Sequence, residues 1–145
     1  MTSQLPIIVV DADALIGLFY EHDAHAQEAV EIAHKLQELH AKLLYPATTI
    51  METITTLQRK MHRPDIVKQI MLLVERAPLL IEPVDSATLT EALVLFNPDG
   101  SKKNTLFDAV VAAIATKHAA RAIFSFDAWY EKQGFTLARQ VVWCR

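Results

Sequence analysis

The chain has 145 residues, 52% hydrophobic and 21% charged, with a formal net charge of −3. Its one cysteine, Cys144, rules out an internal disulfide, and a chain this long buries roughly two-thirds of its unfolded surface without one. Such a balance excludes a disulfide-stapled scaffold and an overtly basic polyanion binder, although acids gathered in a cleft can hide a basic rim within the total.

Apolar runs of strand length alternate with helical periodicity throughout, which predicts a single α/β domain over 1–145 with a parallel sheet. The first apolar run has no basic stretch before it and is soon broken by acid. No signal peptide or membrane span is therefore expected, and a reducing, cytoplasmic setting suits the lone cysteine, read as packed beside Trp143. The high apolar share also predicts a surface that faces a partner chain. Strands are expected at Ile7–Asp11, Leu43–Pro46, Leu79–Pro83, Ala122–Phe126 and Gln140–Trp143. Helices are expected at Ala12–Tyr20, Ala24–Ala41, Thr49–Met61, Pro64–Arg76, Ser86–Phe96, Thr105–Ala119 and Ala128–Gln133.

Several boundaries have a mechanism. Ala26, Ala29, Val30, Ala33, Leu36 and Leu39 form an apolar stripe at helical spacing. Pro64 suits a first helical turn, where its missing N–H is not needed. Asn97-Pro98-Asp99-Gly100 signals a turn between helices. Three glycines leave no Gly-rich phosphate loop, so any phosphate chemistry must rest on a metal.

Four acids then stand out, each where an apolar strand runs into a helix: Asp11 in PIIVVDADAL, Glu52 in LLYPATTIMETI, Asp108 in KNTLFDAVVAAIA and Asp127 in RAIFSFDAWYE. Each also has a plain structural reading. Thr49 with Glu52, and Thr105 with Asp108, fit capping boxes, while Asp13, Asp85 and Asp127 fit single N-caps. Jointly the pattern says more. Strand exits of a parallel sheet gather at one edge, where open α/β sheets bind ligands, so the four acids would converge there. Like charges that close repel, and a divalent cation such as Mg²⁺ is the usual compensation. No Cys or His set has zinc-like spacing, and His22 and His25 are read as a solvated helix entrance.

The same four segments, in the same order, resemble the PIN domain family, most nearly the VapC-type toxins of toxin–antitoxin pairs. That resemblance implies a three-layer α/β/α fold around a central parallel sheet of four to five strands. It also implies metal-dependent hydrolysis of RNA phosphodiesters, leaving 5′-phosphate and 3′-hydroxyl ends, with one or two Mg²⁺ or Mn²⁺ ions. Asp11, Glu52 and Asp108 match the family's core metal-binding acids and Asp127 its more variable fourth. Asp13 falls at a small polar position and is read as a cap before a metal contact. Ser125 falls where a hydroxyl supports the site, and His25 where toxin-like members carry a His of no assigned role. A homodimer and a cognate antitoxin are expected partners, again by resemblance.

RNA approaching acids requires cations at the rim. Arg59, Lys60 and Arg63 end the Glu52 helix, and Lys102 and Lys103, before the Asp108 helix, are the favoured phosphate contacts. Lys117 and Arg121 should point away. Trp129 and Tyr130 are read as core packing or a partner surface before base-stacking platforms. Two other readings stay open. One is a PIN-like RNA-binding or scaffold protein that does not cut. The other is a haloacid-dehalogenase-like phosphatase opening on Asp11-x-Asp13, in which Glu52 and Asp108 would have no task.

Overall fold

The computed structural model describes residues 4–143. Strand β1 (Ile7–Val10) runs into helix α1 (Ala12–Phe19), followed by α2 (Ala26–Glu38), β2 (Lys42–Pro46), α3 (Ala47–Arg59) and α4 (Pro64–Arg76). Then come β3 (Leu80–Glu82), α5 (Ser86–Leu95), α6 (Leu106–Lys117), β4 (Ala122–Phe124), α7 (Trp129–Lys132) and α8 (Ala138–Trp143). The four strands pair in parallel in the order β3-β2-β1-β4.

Central β1 explains the layering. Ile8, Val9 and Val10 are all fully buried, because a parallel strand covered on both faces reads as a continuous apolar run. Alternate side chains enter different cores. Val9 packs with Val110, Ile114 and Tyr130 on the α5–α6 side. Ile8 and Val10 pack with Leu15, Ile32, Leu36 and Phe124 on the α1–α2 side. Helices thus cover both faces of the sheet in three layers. A smaller core of Leu57, Ile66 and Ile70 joins α3 to α4. Gly17 lets α1 lie close to α2, since a Cβ there would stand 3.0 Å from the Ala29 methyl.

Two expectations require correction. Gln140–Trp143 is not a fifth strand but part of α8. Only Leu137 bridges to Ile123. Gln140 then reaches back so that its Oε1 accepts the Leu137 N–H at 2.8 Å, one half of a capping box, and this local bond overrides the strand preference of Val141 and Val142. Thr49 does not cap α3 either. That helix starts two residues earlier, directly after Pro46, which puts Thr49 inside the first turn. Asp85 does cap α5, accepting the Thr88 N–H at 2.8 Å. Among the described residues no helix is long and apolar enough to cross a membrane. Cys144 lies outside the described residues.

Candidate active site

Local structure brings each acid to the carboxyl edge of the sheet. Asp11 is the N-cap of α1, its Oδ1 accepting the Ala12 N–H at 2.8 Å. Thr49 Oγ1 donates to the Val10 carbonyl at 2.9 Å, tying α3 to the last residue of β1. Glu52, three residues on, lies on the same helix face and is carried to Asp11. Asp108 is the third residue of α6 and completes a capping box with Thr105: its Oδ2 accepts the Thr105 N–H at 2.9 Å. Asp127 Oδ1 accepts the Trp129 N–H at 2.9 Å, which starts α7. Asp13, expected to cap a helix, instead sits in the first turn of α1 and reaches across to the segment after β4, accepting from the Phe126 N–H at 2.8 Å. All five acids line one cleft of about 510 Å³.

Burial and crowding set the electrostatics of this cleft. Asp11 and Asp108 are only 4% and 8% exposed. Burial, and then the charges of Asp13 and Asp108, push the Asp11 carboxyl well above its ordinary range. Burial raises Asp108 too. Glu52 is pushed up to about 7 by burial and by the Asp108 and Asp13 charges, and Asp13 to about 6, mainly by burial. Ionising all of them together is costly without a compensating cation.

Two hydroxyls bridge the acids. The fully buried Tyr130 O–H lies 2.9 Å from Asp11 Oδ2 and 3.4 Å from Asp108 Oδ1. One phenol proton serves one of them at a time. Ser125 Oγ is 3.0 Å from both Asp11 Oδ2 and Asp13 Oδ2 and accepts the Asp127 N–H at 3.1 Å. Asn104 donates to Asp127 Oδ2 at 2.8 Å. Ser125 was anticipated from the sequence; Tyr130 and Asn104 were missed as parts of this network. Only the helical spacing of Tyr130 from Asp127 hinted at a shared face.

Of the expected cations, Lys60, Lys102 and Lys103 line the cleft. Arg63 is committed to Glu21 at 2.8 Å and Asp65 at 2.9 Å, and Lys117 to Glu82 at 3.2 Å. Tyr130 is core, as expected, and too buried to stack on a base. His25 stacks on Phe126 with ring centroids 4.2 Å apart, while His22 stays at the surface beside Glu21.

The donor set is all oxygen, which suits a hard ion such as Mg²⁺ or Mn²⁺ and not Zn²⁺. Asp13 Oδ1 is buried without a hydrogen-bond partner, a further oxygen of the same kind. Among the described residues, no three His, Cys, Asp or Glu side chains stand already grouped as a ligand set. The acids fit a divalent cation in chemistry, and holding one requires their side chains to draw together.

The PIN domain family model matches residues 8–135, and the chain belongs to that family. This assignment replaces the phosphatase reading, which left Glu52 and Asp108 idle. No curated protein matches the sequence. The fold is similar to that of Mycobacterium tuberculosis VapC20, described as a sarcin-ricin loop cleaving toxin, with a TM-score of 0.72 and 18% identity. That likeness covers 89% of this chain and 96% of VapC20.

Proposed function

We propose that this protein is a Mg²⁺- or Mn²⁺-dependent endoribonuclease of the VapC type, the cytoplasmic toxin of a toxin–antitoxin pair. The observation that carries the proposal is the meeting of Asp11, Glu52, Asp108 and Asp127 in one cleft rimmed by Lys60, Lys102 and Lys103. The family and the RNA-cleaving activity of VapC20 support RNA as the substrate.

Asp11, Glu52, Asp108 and Asp127 would hold the ion, which supplies Lewis-acid chemistry for phosphodiester hydrolysis when bound. Asp11 and Asp108 are kept in place by Tyr130, and Asp127 by Asn104. Ser125 joins Asp11 and Asp13 to the end of β4. The three lysines draw the RNA backbone toward carboxylates that would otherwise repel it. A homodimer and an antitoxin that silences this cleft complete the proposal.

The test is incubation of the purified chain with defined tRNA and rRNA in Mn²⁺, Mg²⁺ or EDTA, beside D11N and D108N. Cleavage is expected with either ion and in neither variant, both variants remaining folded. Full activity in a variant refutes the assignment, and RNA bound but left uncut in Mn²⁺ favours a silent binding protein.

A further inference from the structure

We propose that a second pocket, beside the acid cleft, receives one unpaired nucleobase of the RNA strand lying across the acids; this rests on the RNA-cleaving reading above. The pocket encloses about 410 Å³ between the end of α5, the loop before α6, and α7. That is the small end of the range for ligand sites, about 300–1,000 Å³.

Its lining has the chemistry of base recognition. Phe96 and Trp129, both half-buried, supply flat aromatic surface. The amides of Asn97, Asn104 and Gln133 can donate to or accept from a base edge, and Lys132 adds a cation. Unpaired bases are recognised by this combination: stacking on an aromatic face, hydrogen bonds to the exposed edge, and a nearby positive charge for the backbone.

Position links the pocket to the proposed chemistry. Thr105 lines both cavities. Asn104, on the wall between them, is oriented by its 2.8 Å bond to Asp127. One short loop places Ser101 in the pocket and Lys102 and Lys103 in the cleft. A strand whose phosphate meets the two lysines therefore has its neighbouring base within reach of the pocket. The pocket would choose which base stands beside the cut, a selectivity that the acids cannot supply.

The experiment is fluorescence titration in EDTA with the hexaribonucleotides A₆, C₆ and U₆. A W143F background leaves Trp129 as the sole tryptophan reporter, since the chain has two. Binding should change Trp129 emission, and the best hexamer should bind about tenfold tighter than the worst. Followed by calorimetry, because it removes the reporter, W129L should weaken the best hexamer about tenfold, and N97A/Q133A should shrink the spread among the three. The N97A/Q133A pair alters exposed side chains, so the test stands if W129L fails to fold. Equal affinities for all three hexamers, or folded variants that bind like the parent, overturn the proposal. If the hexamers bind as expected but no RNA is cut in Mn²⁺, the nuclease reading falls and the pocket stands. If RNA is cut at sites indifferent to these variants, the pocket falls alone.

Discussion

Replacing Glu52 with Gln should stabilise the metal-free protein while disabling it. An unfolded glutamate ionises near 4.5, whereas Glu52 in the fold keeps its proton to about 7 because of burial and the Asp108 and Asp13 charges. Between these values the folded state binds more protons than the unfolded one, so stability falls as pH rises and the loss is complete above about 7. Taken whole, that difference is about 3.4 kcal/mol at 1.36 kcal/mol per tenfold change in acidity. Glu52 is only partly buried, and solvent screening leaves roughly 1.5 kcal/mol. Gln carries no charge to suppress. Thermal unfolding in EDTA at pH 8 should therefore show E52Q melting about 5 °C above the parent, with the gap closing toward pH 4.5. Saturating Mg²⁺ should stabilise the parent and not the variant. An E52Q protein that is no more stable at pH 8, or that gains as much from Mg²⁺, refutes the picture of an acid held under repulsion for an ion to relieve.

Tyr130→Phe keeps the ring and deletes the proton shared by Asp11 and Asp108. It should cost about 1–3 kcal/mol in EDTA and less in Mg²⁺, where an ion supplies the same compensation; equal losses in both conditions would make the phenol merely structural. Thr49→Val breaks the bond to the Val10 carbonyl and should cost about 1 kcal/mol by urea denaturation, with reduced RNA cleavage because Glu52 rides on the same turn. Unchanged stability and cleavage would deny Thr49 that role. Since Glu52 and Asp13 hold their protons to about 7 and about 6, calorimetric Mg²⁺ affinity should be markedly weaker at pH 6 than at pH 8. Equal affinities would show that these acids do not take part in binding.

Most of the layout was legible because local signals and tertiary context agreed. The expected strand Ile7–Asp11 forms over Ile7–Val10, with Asp11 capping the next helix, and Pro64–Arg76 begins and ends where its proline and apolar spacing say. Thr105 and Asp108 form the expected capping box. Asp108 is thus both a structural cap and a cleft acid, and the two readings of this residue were never exclusive. The misreadings fall where a distant partner outbid a local pattern. Thr49 resembles an N-cap in sequence, yet its hydroxyl serves β1. Asp13 resembles one too, yet it spans to the segment after β4. Val141 and Val142 favour a strand, but Gln140 bonds back to Leu137 and winds the segment into α8.

Alternating apolar periodicities, together with acids following strands at Asp11, Glu52 and Asp127, were enough to dictate a parallel α/β sheet and its acid edge; Asp108, expected after a strand, reaches that edge instead from the loop joining α5 to α6. Periodicity and capping act over a few residues, so one chain suffices to read them. Which oxygens share a proton was settled only in three dimensions. Tyr130 lies 119 residues from Asp11, and Ser125 lies 114 from it. Contacts across such separations arise from strand order and helix packing, and nothing in the neighbouring residues encodes them.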